Sequence, residues 1–269
     1  FFVLSPFLLF TVLADADVSV VFSLLLPVSL IAAAVSGLTF ALIARLAWHR
    51  GVSETVVGAL ASGYVNSNYI GVPVAIYVLG NPAYAAPIVL LQLLLFAPIA
   101  LTILAIQRRG SVSVGTVLTE PLRNPILIAS LAGVVLSVAH VKLPDAVMEP
   151  FRVIGAAAVP VVLIAFGMSL HGQRVLAAGS ARRDVILASA LKLVLMPVVA
   201  WVIGHFVFQF TGAPLFAVVV LAALPTAQNV FIYAQRYERG EIVARDVVLI
   251  TTVLCVPVLV VIAALLAPA

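Results

Sequence analysis

Charge is what this chain of 269 residues has least of. Asp, Glu, Lys and Arg together make up 9% of it, against about 25% in an ordinary soluble domain. With 64% hydrophobic residues and a mean hydropathy of +1.28, it has too little polar surface for a soluble globule. A polytopic membrane protein follows. One cysteine, Cys255, excludes an internal disulfide and any cysteine-rich metal site, and its apolar neighbours make it a small packing residue. There is no paired Asp, no His-Glu metal motif and no Gly-x-Ser-x-Gly, which argues against an intramembrane enzyme; no cofactor or metal is expected. The pI near 9.6 does not signal nucleic acid, because the basic residues stand singly or in pairs between apolar spans. No basic n-region or cleavage motif marks a signal peptide.

The apolar spans lie at about 1–14, 20–46, 54–79, 83–106, 124–140, 146–170, 184–209, 214–235 and 243–267. The first would reach only roughly 21 Å against a hydrocarbon core of about 30 Å. Because it opens on Phe1, the expectation is that a leading helix precedes it, nine spans being present here. Arg45, Arg50, Arg108, Arg109, Arg123, Arg174, Arg182, Arg183, Arg236, Arg239 and Arg245 fall in alternate connections. The others carry Asp15, Asp17, Asn81, Asp145, Glu149 and Thr211, with Lys142 as the one cation counted. That asymmetry places the Arg-bearing loops in the cytoplasm and the C-terminus outside, in a bacterial-type inner membrane.

The halves resemble each other. Pro6 corresponds to Pro160, Asn68 to Asn229 and Pro98 to Pro257, at separations of 154 to 161 residues. A five-span unit used twice starts its second copy from the opposite side of the membrane. The expected architecture is thus an all-α polytopic membrane protein of two inverted five-helix repeats with crossed discontinuous helices. Residues 1–106 form the first repeat, lacking its first helix; 107–123 form a cytoplasmic linker, and 124–269 the second repeat.

Two spans are interrupted at membrane depth, by Asn66-Ser67-Asn68-Tyr69-Ile70-Gly71-Val72-Pro73 and by Pro225-Thr226-Ala227-Gln228-Asn229. Amides, a hydroxyl, Gly71, Pro73 and Pro225 are unfavourable in hydrocarbon, and broken backbone survives there only inside protein or beside a watery cavity. Paired breaks point to a transporter's central site, the alternative being two kinked structural helices. Asn66, Ser67, Asn68, Tyr69, Gln228, Asn229 and Tyr233 would bind solute there, or the amides would only satisfy freed backbone groups. Gln92 is a further cavity-lining candidate, and His205 reads as a packed or capping residue. Half-helix N-termini bring partial positive charge and free N–H groups. Every Asp and Glu lies near a span end, while Lys192 sits about 13 Å into its span. It is read as counter-charge to an anion, as a brace capping carbonyls at a break, or as a snorkelling side chain.

Four stretches carry a resemblance: Asn66 to Pro73, Asn124-Pro125, Lys192-Leu193-Val194-Leu195-Met196-Pro197, and Pro225 to Asn229. The chain resembles the auxin efflux carrier family, in the superfamily that includes bile acid/sodium symporters. The resemblance implies broken helices crossing at Pro73 and Pro225, substrate bound at the crossing, and a core moving against a scaffold in elevator fashion. It also implies substrates such as the auxin anion or small carboxylates like malate and malonate. The partners expected are a small organic anion and the lipid bilayer, with a homodimer through scaffold helices as a further expectation. The function expected is a secondary transporter of a small carboxylate. The alternatives are a sodium- or proton-coupled symporter of larger amphipathic acids and a non-transporting membrane sensor or scaffold.

Overall fold

A computed structural model describes residues 3–15, 24–109, 125–169, 171, 175–176 and 181–268. Most of the expected linker, together with Asp17, Arg123, Asn124 and Arg174, lies outside the described residues. The described residues are mostly helical. The helices are α1 Leu4–Ala14, α2 Leu25–Ala47, α3 Val52–Gly63, α4 (Ser67–Gly71 running into Val72–Tyr77) and α5 Ala86–Arg108. After them come α6 Pro125–Val138, α7 Asp145–Ala156, α8 Ala158–Ser169, α9 Arg182–Val207, α10 Gly212–Ala223, α11 Gln228–Tyr237 and α12 Glu241–Leu266. Uninterrupted helices long and apolar enough to cross a bilayer are α2, α5, α9 and α12. Their outward faces are apolar too: Leu38, Val194, Val253, Val260 and Leu265 are exposed, as suits helices bathed in lipid.

Proline shapes these helices by widening them. Pro73, Pro98 and Pro197 each follow, by two residues, a π-helical turn: Ser67–Gly71, Gln92–Phe96 and Leu191–Leu195. A proline has no N–H for the carbonyl four residues back and crowds it, and the wider turn relieves that conflict without ending the helix. The expectation that the chain breaks at Pro73 is therefore corrected. The first break lies at Tyr64–Asn66, between α3 and α4, and Pro73 belongs to the helix beyond it.

Local features recur 160 residues apart. π turns close α2 at Ile43–Ala47 and α9 at Ile203–Val207, and His49 and Gln209 follow with φ of 52° and 53°. The bond from Arg50 N to Ala44 O is repeated from Phe210 N to Gly204 O, both 2.8 Å. α3 and α10 then begin at Val52 and Gly212.

Packing does not follow chain order. α1 lies between α6 and α7, while α2, α3, α9, α10, α11 and α12 pack around one another with the later part of α5. The two groups meet along the first part of α5, where Leu9, Val89, Leu93 and Ile126 form one apolar cluster and Leu13, Ala86 and Leu90 another. α1 and α7 approach closely because Gly155 has no side chain. A Cβ there would stand 2.8 Å from the Leu8 backbone.

The ends of the bundle separate by charge. Arg50 holds Asp184 at 2.6 and 3.1 Å, Arg108 donates to the Arg236 carbonyl at 2.8 Å, and Asp246 accepts from Arg245 and from Leu176 N. Asp15 lies by the start of α5, which carries Arg108 at its far end, roughly 33 Å away at 1.5 Å per residue. There Arg152 reaches Asp145 at 3.2 Å, Asp15 at 3.4 Å and Glu149 at 3.7 Å. Arg152 adds a second cation to the end where Lys142 alone was counted, and Asp15 does not line the cavity at the helix breaks.

Replacing Gly155 with Val should push α7 off α1 and lower stability by about 1–3 kcal/mol. Thermal unfolding of the purified protein checks this, an unchanged midpoint being the contrary result.

Candidate functional site

The two breaks touch. Val65 and Thr226 form an isolated antiparallel bridge, flanked by Asn66 N to Pro225 O at 2.8 Å and Ala227 N to Tyr64 O at 3.1 Å. Backbone groups released by breaking each helix are thus taken up by the other break. Side chains complete the exchange. Thr226 Oγ1 donates to Ala61 O at 2.6 Å near the end of α3, and Ser36 Oγ donates to Ser62 O at 2.7 Å. Thr226 N donates to Thr251 Oγ1 at 3.0 Å. Gly63 permits the tight approach of α2 here, since a Cβ would stand 2.6 Å from Ala33 O.

Lys192 is fully buried, and its Nζ donates to Ala222 O at 2.6 Å and lies 3.3 Å from Met196 Sδ. It caps a carbonyl in the last turn of α10, where no further turn supplies an N–H. Of the three readings open for this residue, the geometry is that of a brace. Snorkelling is overturned by complete burial, and the ammonium does not line the cavity at the crossing.

That cavity is lined by Tyr64, Asn66, Ser67, Asn68, Tyr69 and Asn229, with Gln92 and the apolar Val65, Val89, Leu93 and Ala227. It is closed to about 10 Å³, room for at most a single water. Several polar atoms around it have no hydrogen-bond partner within the protein: Asn66 Nδ2, Asn68 Oδ1, Gln92 Nε2, Asn229 Oδ1 and, close by on α11, Gln228 Oε1. Buried amides left unpaired are expensive, and their gathering at one point distinguishes this place from the rest of the interior. The Asn66 amide is oriented by its other end: Oδ1 accepts from Tyr69 N at 3.2 Å as the cap of α4, leaving Nδ2 free to donate. No side chain caps α11; of its first-turn N–H groups, Val230 N donates to Ala227 O at 3.1 Å.

The candidates named from sequence thus divide. Asn66, Ser67, Asn68, Tyr69 and Asn229 come together with Gln92, whose Oε1 accepts from Ser67 Oγ at 3.3 Å. Gln228 and Tyr233 are buried just behind, the Tyr233 ring edge-on to Tyr64 at 6.3 Å. Gly71 and Pro73 lie within α4, Pro225 at the break itself. His205 stacks on Trp201 at 5.9 Å, away from the cavity. Two residues were missed. Tyr64 was hidden because an aromatic ahead of a polar run reads as core. Ser5, hydrogen-bonded to Tyr69 OH at 2.8 Å, stands 64 residues away with no local signal.

The family model described as Membrane transport protein matches residues 107–263. A protein of Rhizobium meliloti (strain 1021) named "Putative malonate transporter" is 29% identical over 213 residues, which cover 76% of this chain and 65% of that protein. The chain thus spans a little less than two thirds of that relative's length.

Substituting Met for Lys192 should leave Ala222 O buried without a donor and lower stability by about 1–3 kcal/mol. A melting midpoint equal to that of the parent protein would contradict the bracing geometry.

Proposed function

We propose that this chain, which belongs to the membrane transport protein family, moves a small organic anion by alternating access, binding it where its two broken helices meet. It is a secondary membrane transporter and not an enzyme. The family named from its motifs, the auxin efflux carriers, is the one to which it belongs. The observation that carries the site is the set of unpartnered amide atoms around a closed cavity between two helix N-termini. Free donors and the positive poles of α4 and α11 suit a carboxylate, and no carboxylate side chain lines the cavity among the described residues. The relative's name makes small carboxylates of the malonate kind the first solutes to try.

The transport cycle is of the elevator type. The larger helix group carries the crossing, and the group of α1, α6 and α7 stands still against it. Their contact surface is apolar along α5 and bridged at the crossing by the bond between Ser5 and Tyr69, a bond that sliding would exchange. Two inverted repeats account for the backbone features that recur 160 residues apart. The Arg-bearing ends face the cytoplasm of a cell whose inner membrane holds the protein.

Asn68→Ala and Asn229→Ala variants reconstituted in proteoliposomes should lose carboxylate uptake by at least about tenfold, about 1.4 kcal/mol of binding, while folding normally. Normal uptake by both variants would refute the site.

A further inference from the structure

The cavity at the crossing, closed to about 10 Å³, has a larger neighbour. An apolar groove of about 320 Å³ runs between α2, α3 and α5, with walls built from small residues such as Ala34, Gly37, Ala41 and Ala59. Leu38 and Ile99 at its edge are 62% and 51% exposed, so it opens on the lipid-facing surface. Its volume falls within the range of pockets that hold small molecules, about 300–1,000 Å³.

Tyr64 lines the groove and the crossing cavity alike, and no other residue of the crossing cavity lines the groove. It is buried, its carbonyl accepts from Ala227 N, and its ring is held edge-on to Tyr233. Among the described residues it alone brings a polar side-chain atom to the groove, where a hydroxyl is unfavourable, whereas the crossing side offers amides. A second groove, between α9, α10 and α12, shows what this arrangement adds. Its wall has Val194, Pro197, Trp201 and Val219 at the positions 160 residues after those small residues. That space, about 590 Å³, touches none of the residues lining the crossing cavity. Of the two grooves, the one on α2, α3 and α5 alone shares a wall with the crossing.

We propose that Tyr64 sets the specificity of the crossing: its ring is the partition that shuts the apolar groove off from the solute. Short polar carboxylates are taken, and carboxylates bearing an alkyl tail are refused. Removing the ring joins the two spaces, and a tail on the carboxylate head then has an apolar channel to lie in. Each CH₂ buried there raises affinity about fourfold. This deepens the anion-site reading above and rests on it.

The test uses malonate and butylmalonate, which share a head and differ only in the tail. Each is titrated calorimetrically into the purified full chain in lipid nanodiscs, with empty discs as the blank. The parent protein should bind malonate at least about tenfold more tightly than butylmalonate, the tail being overpacked against Tyr64. In Tyr64→Ala the ratio should move toward butylmalonate by at least about tenfold. Tyr64→Phe, which keeps the ring, should select as the parent does, and adding Ala34→Phe to Tyr64→Ala should refill the groove and cancel the shift. Where Tyr64→Ala does not fold, as judged by circular dichroism, Tyr64→Leu takes its place. Equal binding of both compounds by the parent, an unchanged ratio in the folded ringless variant, or a shift that survives Ala34→Phe overturns the inference and leaves the anion site standing. Loss of both compounds by a folded ringless variant also overturns it, since Tyr64 would then be a binding group and not a partition. Binding of neither compound by the parent overturns the anion-site reading and the inference with it.

Discussion

The antiparallel bridge between Val65 and Thr226 is the contact on which the remaining architecture depends. A helix stopped inside a bilayer leaves carbonyls at one end and N–H groups at the other, and hydrocarbon offers them nothing. Here each break supplies what the other lacks: Tyr64 O meets Ala227 N, and Pro225 O meets Asn66 N. Thr226, Ser36 and Lys192 take up carbonyls that the bridge does not reach. With the stumps satisfied by backbone, the amide side chains nearby are only partly used: Asn66 caps α4 through Oδ1 and Gln92 Oε1 accepts from Ser67 Oγ, while their NH2 groups find no partner in the protein. Unpaired polar atoms therefore collect at the crossing.

Likeness of backbone and unlikeness of side chains coexist across the two halves. The π turns, the left-handed His49 and Gln209, and the starts of α3 and α10 repeat at one spacing. The residue 160 positions before Lys192 is Ala32, buried and apolar. α4 is capped by Asn66, whereas α11 has no side-chain cap. The two arms of the crossing therefore differ in their side chains, the buried lysine and the asparagine cap each belonging to one arm alone.

Much of this was legible in the sequence because lipid makes every polar residue at depth conspicuous. Asn66, Asn68 and Asn229 stood out for that reason, and they do meet at one cavity. Two of the Arg-bearing connections meet at one end of the bundle, where Arg50 holds Asp184. Proline misled. Pro73 signals a disturbed helix, but sequence cannot tell a turn that widens from one that ends, and here the π turn at Ser67–Gly71 absorbs the conflict. Arg152 was passed over because it lies inside an apolar window, although its three carboxylate partners place it at the bundle's end. The bond from Ser5 to Tyr69 was beyond reach, being set by packing between distant helices.

The bridge itself can be tested by making it covalent. Val65 and Thr226 form the non-hydrogen-bonded kind of antiparallel pair, in which Cα atoms lie about 4.5 Å apart, a separation a disulfide can span. In a protein whose Cys255 is first replaced by Ala, Val65→Cys with Thr226→Cys should form an intramolecular disulfide on mild oxidation in the membrane. That crosslink would show as a mobility shift lost on reduction. Two thiols that stay free while the protein remains folded would mean that the breaks do not meet, and the site built on their meeting would go with them.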